Sequence, residues 1–101
     1  MSDIGETPRR GEADRLRRLA RGAYKSGDYE ISIRFFSELV ALPLGEGEAL
    51  RAERAHDEFD LSTVLLRLGR SEAAAAPLRR AREASPDDPR VLLKLGQVLS
   101  R

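Results

Sequence analysis

Apolar residues recur along this chain three and four positions apart, in five blocks separated by Gly, Pro and short polar turns. Such spacing places them on one side of an α-helix. Leu16, Leu19, Ala20 and Ala23 predict a first helix over 12–25, with Arg15, Arg17, Arg18, Arg21 and Lys25 on its other side. Ser26-Gly27 ends it, because Gly enters the left-handed conformation at little cost after a helix. Asp28 is the expected cap of a second helix over 28–42, its carboxylate accepting from free backbone N–H groups. There Ile31, Phe35, Leu39 and Leu42 line one face, and Ile33, Phe36 and Val40 widen it enough to touch two neighbours. Residues 43–47 break the chain with Pro and Gly. A third helix over 48–68 carries Leu50, Ala55, Phe59, Leu61, Val64, Leu65 and Leu68 and closes at Gly69. A fourth over 71–84 takes Ser71 as its cap and turns Ala74, Leu78 and Ala81 inward, while the run Ala73 to Ala76 lets a neighbouring backbone come close. Pro77 removes one helical hydrogen bond, which predicts a kink or a late start. After Ser85-Pro86, Asp88-Pro89 starts a fifth helix over 89–100 with a stripe of Val91, Leu92, Leu95, Val98 and Leu99. Its outer side holds Arg90, Lys94, Gln97 and Arg101, with Leu93 among them. Residues 1–11 hold Gly and Pro and no period, the pattern of a flexible arm.

The blocks repeat. Leu92-x2-Leu95-Gly96-x2-Leu99 echoes Glu58-x2-Leu61-Ser62-x2-Leu65, 34 residues upstream, and Leu16-x2-Leu19-Ala20-x2-Ala23, a further 42 residues back. Gly27-Asp28-Tyr29-x2-Ser32-x3-Phe36 likewise matches Gly69-Arg70-Ser71-x2-Ala74-x3-Leu78. With Pro86 after the second unit, this resembles the tetratricopeptide repeat family, whose unit of about 34 residues reads W-x2-L-G-x2-Y…A-x3-F…P. The units lack the Trp, Glu58 stands where an apolar residue is usual, and eight added residues lengthen the front of the third helix. The resemblance implies an all-α fold, a short right-handed α–α superhelix of stacked hairpins with about five helices. Its parts would be the arm at 1–11, repeats over about 12–46 and 47–88, and the first helix of a partial third repeat at 89–101. About three repeats are usually needed for stability. The fifth helix is therefore either a sufficient cap or a face that docks on a following segment or on another copy, forming a homodimer.

Charge and composition narrow the function. A formal net charge of +1 gives no overall pull toward nucleic acid or membrane. With no Cys, neither disulfides nor thiolate metal sites are available. No apolar run reaches the roughly 18 residues of a membrane span, and the first residues lack the basic and apolar regions of a signal peptide, so the expected location is the cytoplasm. His56 is the one His, without the ligands a zinc site requires. Gly45-x-Gly47 lacks the third Gly, the preceding strand and the Lys of a phosphate cradle. We therefore expect no enzyme, no cofactor and no metal.

In the resembling family, peptides lie along the concave surface built by the first helix of each pair. Carried over residue by residue, that implies a site of Arg17, Arg21, Tyr24 and Lys25 from the first helix. The third helix would add His56, Phe59, Asp60, Thr63 and Arg67, and the fifth would add Lys94, with Arg90 and Gln97 beside it. Arg17 and Arg21 are four apart on one helical face, suited to gripping carboxylates in bidentate fashion. The implied function is a protein–protein interaction scaffold that binds a peptide or partner helix, acidic in character, in a partly basic groove. The family's clamp for acidic tails also uses Asn, and this chain has none. The same arginines are equally placed to pair internally. Residues 46–60 hold six carboxylates against Arg51 and Arg54, and packing of the first helix beside the third would let Arg17 and Arg21 meet Asp57 or Asp60. Two other functions stay open. One is a structural self-association unit. The other is an Arg-rich regulatory or nucleic-acid-binding domain using Arg70, Arg79, Arg80 and Arg82.

Overall fold

Two glycines set the hairpins of this structure, a computed structural model that describes residues 8–43, 45 and 47–100. Gly27 and Gly69 have φ of 84° and 74°, a region that favours Gly because a Cβ would crowd the backbone. Around Gly27, the Asp28 N–H donates to the Ala23 carbonyl at 2.8 Å and the Gly27 N–H to Tyr24 at 3.1 Å. Around Gly69, the Arg70 and Gly69 N–H groups donate to Leu65 and Leu66, both at 2.9 Å. Each turn thereby satisfies the orphan carbonyls of the helix it ends. The helices are α1 (Pro8–Lys25), α2 (Tyr29–Ala41), α3 (Glu48–Arg67), α4 (Ser71–Ala84) and α5 (Pro89–Leu99). α1 packs with α2 and α3 with α4; α2 also packs on α3, and α4 on α5. The result is an all-helical stack among the described residues, 52 × 31 × 16 Å.

Several local expectations change. The helix reaches back to Pro8, so residues 8–11 are helical rather than part of an arm; the rest of that arm, residues 1–7, lies outside the described residues. Pro tolerates the first helical turn, where its missing N–H has no partner to lose. Arg10 holds the added turn to α3 by donating to Glu53 at 3.0 and 3.2 Å. Asp28 occupies the cap position of α2, but its side chain makes no capping bond. The turn bonded to Ala23 holds Asp28 at ψ 70°, away from the extended conformation that aims a cap side chain at the helix. Ser71 lies inside α4, with Arg70 at the cap position and no side-chain cap. Asp88 does cap α5, accepting from the Arg90 N–H at 2.9 Å with Pro89 behind it. α4 does not start late: it begins at Ser71 and runs through Pro77.

Leu, Ala, Val and one Phe fill the interior. Ala13, Leu16, Ala20, Phe36, Leu39, Leu61, Val64, Leu65 and Ala74 form the main cluster, and Ala75, Leu78, Leu95 and Val98 a second below it. Leu19 and Ile31, expected to pack, are instead exposed. α1 has one close neighbour, so its buried arc is narrow and Leu19 falls outside it. α2 and α1 approach closely enough for the buried Ser32 hydroxyl to donate to the Ala20 carbonyl at 2.8 Å.

Two acids are buried with this apolar set. Asp57 is 0% exposed and accepts both arms of the Arg17 guanidinium, at 2.8 and 2.7 Å. Arg17 is itself 13% exposed and also meets Asp14 at 3.2 Å. Asp57 holds the guanidinium protonated by raising its pKa. This fork clamps α1 to α3. Glu58, 2% exposed, accepts from Arg80 at 2.8 Å through one oxygen, while its other oxygen has no partner.

These pairs predict opposite outcomes. Arg17→Met strands a buried carboxylate and should cost about 3 kcal/mol in urea unfolding, whereas Arg21→Met, which removes an exposed pair, should cost less than about 1 kcal/mol. Equal losses would show that the Arg17 fork is not a clamp. Glu58→Leu restores the apolar residue that Leu16 and Leu92 supply in the same register. It should raise stability by about 1 kcal/mol or more, because a half-satisfied buried carboxylate is worse than a packed apolar side chain. A lower melting temperature would contradict that.

Candidate functional site

α1 and α3 run side by side without packing closely along their length. Long side chains bridge the gap, and a cleft of about 350 Å³ opens between them. Phe36 of α2 and Val64 lie at its base; Arg21, Tyr24 and Lys25 form one wall and His56, Asp60 and Thr63 the other. Helical spacing explains the set. Arg21 and Lys25 are one turn apart on α1, and His56, Asp60 and Thr63 follow at intervals of four and three on α3.

The charges form a loose chain. Asp60 lies 3.4 Å from Arg21 and 3.5 Å from the Nε2 of His56. Burial pushes the Asp60 carboxyl above its ordinary pKa, against the pull of His56 and Arg21. Tyr24 is fixed at the cleft edge: its hydroxyl accepts from the Arg67 Nε at 3.1 Å, and its ring lies 5.4 Å from that of Tyr29. Thr63 donates to the Phe59 carbonyl at 3.1 Å, which orients its methyl and oxygen within the wall. Beyond the cleft, Arg21 and Lys25 also border a second hollow of about 450 Å³ with Asp14, Arg17, Arg18 and Gly22. The two side chains are thus a basic ridge between two depressions. Arg18 and Lys25 make no ion pair among the described residues.

The residues singled out in the sequence separate into groups. Arg21, Tyr24, Lys25, His56, Asp60 and Thr63 line the cleft, and Arg67 braces it. Arg17 does not: its guanidinium is committed to Asp57. Phe59 and Lys94 are drawn together elsewhere, with the Lys94 Nζ 5.1 Å and the Arg90 guanidinium 5.2 Å from the Phe59 ring centroid. Such cation–aromatic contacts tie α3 to α5. Gln97 is exposed on α5, outside the cleft. The base of the cleft was missed. Phe36 has the spacing of a packing residue, and it also lines this opening.

Of the second basic set, Arg80 is held by Glu58 and Arg70 by Glu30, so neither is an isolated cation. Among the described residues no group of His, Asp and Glu side chains is placed to hold a metal ion. None of their helices is long and apolar enough to cross a membrane.

A family model described as tetratricopeptide repeat matches residues 58–98, which span the second half of α3, all of α4 and most of α5. No curated protein matches the chain significantly. The matched segment contains the Gly69 turn, the Ala74 and Leu78 contacts and the repeated Leu motif in α5. Over that unit the chain matches the tetratricopeptide repeat family, whose repeats generally mediate protein–protein interaction.

Proposed function

We propose that this protein is a cytoplasmic protein–protein interaction module, without catalytic chemistry, whose α1–α3 cleft takes an acidic peptide segment bearing an apolar side chain. The basic ridge of Arg21 and Lys25 beside an apolar base carries this reading. A side chain entering the cleft would bury against Phe36 and Val64, and its carboxylate neighbours would meet the ridge. The side chains sit on rigid helices, so little ordering remains to be done on binding. Asp60 competes for Arg21, but burial already disfavours its charged form, so it is a weak competitor. The nucleic-acid reading loses support from the engagement of Arg70 and Arg80 with acids of the same chain.

The test is a fluorescence-anisotropy screen of acidic peptides carrying one fixed leucine. Arg21→Glu should weaken the best binder about tenfold or more, which is 1.4 kcal/mol per decade. Asp60→Asn should strengthen it. Since burial raises the Asp60 pKa, ionising Asp60 costs stability, a cost absent at low pH and complete above the raised value. Asp60→Asn should therefore melt no lower than the parent at neutral pH. Unchanged affinity in Arg21→Glu, or weaker binding in Asp60→Asn, would remove the cleft from the function.

A further inference from the structure

The second hollow, beside the cleft, is lined by α1 alone. Asp14, Arg18, Arg21, Gly22 and Lys25 follow one another at intervals of four, three, one and three, so they share one face of the helix, with Arg17 beside them. The charges of this face do not balance. Asp14 is the one acid in the wall, and Arg17 already matches it at 3.2 Å while also meeting Asp57. Arg21 has Asp60, on the cleft side, at 3.4 Å. Arg18 and Lys25 make no ion pair among the described residues. Three exposed cations therefore border a space of about 450 Å³ whose wall holds no acid left to match them.

A glycine lies among these cations. Gly22 is inside α1, where Gly is less favourable than Ala. The packing of the chain does not ask for it, since a Cβ built there meets no atom within 4 Å. Its missing side chain instead opens the hollow to the helix backbone, with Arg18 one turn before it, Lys25 one turn after it and Arg21 adjacent. A seat that is small at its centre and cationic around it suits a compact anion rather than an apolar side chain.

We propose that this hollow seats the phosphate of a phosphoserine or phosphothreonine in the peptide that the α1–α3 cleft holds. The inference rests on the cleft reading for the rest of the peptide. Arg21 and Lys25 border both depressions, so a peptide whose apolar side chain enters the cleft has only their ridge to cross before it reaches the hollow. A carboxylate brings two oxygens and a single charge. A phosphomonoester brings three strong acceptor oxygens and a charge of about −1.5 to −2 at neutral pH. That is one oxygen for each of Arg18, Arg21 and Lys25, in charge-assisted hydrogen bonds. A nucleic acid matches the site less well. Its charge repeats along the strand, whereas Asp14 stands at one end of this stripe and Asp60 across the ridge.

The test is fluorescence anisotropy with the intact protein at physiological salt. The probes are acidic peptides with one leucine and, one to four residues to either side of it, a phosphoserine, a serine or a glutamate. At the best offset the phosphoserine form should bind about tenfold or more tightly than the serine form, and more tightly than the glutamate form. Arg18→Gln should remove that gain and leave the serine form unaffected, because Arg18 borders the hollow and not the cleft. Gly22→Leu should remove it too, by filling the seat. Both variants should melt at the parent temperature or higher, since neither change breaks a contact within the chain. Equal affinity for the three forms at every offset, or a gain that survives Arg18→Gln, overturns the proposal; leucine-dependent binding of the serine form would still leave the cleft reading standing. If serine in place of the leucine changes nothing while Arg18→Gln still abolishes the phosphate gain, the cleft reading fails and the phosphate seat stands. Arg18-dependent binding of a single-stranded oligonucleotide, with no gain for any phosphopeptide, would assign the hollow to nucleic acid and overturn the proposal.

Discussion

The closeness of the helices governs this structure. Aromatic residues make up 5% of the chain, so the interior is built mainly from Leu, Val and Ala. Short side chains fill space only if the helices come near one another. The hydroxyl of Ser32 against the Ala20 carbonyl, and the complete burial of Ala74 and Ala81, mark where they do. The tight turns at Gly27 and Gly69 then follow, since a longer connection would relax the hairpin spacing. That spacing in turn holds α1 and α3 apart, each against its own partner helix. Only long side chains bridge the gap between them, and the cleft is the space they leave.

Burial decides what the arginines of α1 do. Arg17 and Arg21 differ by one helical turn, yet Arg17 faces a carboxylate with no access to water and Arg21 faces one at a cleft edge. Removing the partner of a fully buried charge is strongly unfavourable, so Asp57 holds Arg17 permanently. Asp60 gains less from Arg21, because desolvation already works against its ionised form. The same physics makes one guanidinium a structural clamp and leaves the next beside Lys25 as an accessible cation. Depth therefore divides them: Arg17 is committed to the interior, and Arg21 is the one the proposed peptide site draws on.

Properties carried by the chain itself were legible in the sequence. Gly27, Gly69 and the Asp88-Pro89 start placed the helix boundaries within a few residues, because turn geometry depends on local residue chemistry. Helical spacing placed Ala20, Ala74 and Leu78 on packing faces, and all three are buried. Six of the expected groove residues do line one cleft, since helical spacing fixes which side chains share a face. What depends on neighbours was less visible. Leu19 and Ile31 have the same local pattern as buried residues, and only the single close neighbour of α1 and the rotation of α2 leave them exposed. Asp28 has good cap chemistry, but the preceding turn fixes its backbone elsewhere. Glu58 did leave a signal, an acid at a position that is Leu in both other copies, and Arg80 is the response of the fold to it.

The two surfaces of this stack differ in the force they offer a partner. At the cleft, cations on exposed side chains act through solvent, so attraction is screened over about 8 Å at physiological salt and favours speed of encounter over tightness. On α5 the free energy lies in apolar area that remains uncovered at Leu92, Leu93 and Leu99, which salt does not screen. Phe59 stands between the two, in the row next to Asp60 but held beneath Arg90 and Lys94. Those stacked cations join α5 to α3. The cation–aromatic stack therefore helps to hold α5 in place, with Arg90 and Lys94 on the side of the helix away from Leu92 and Leu99.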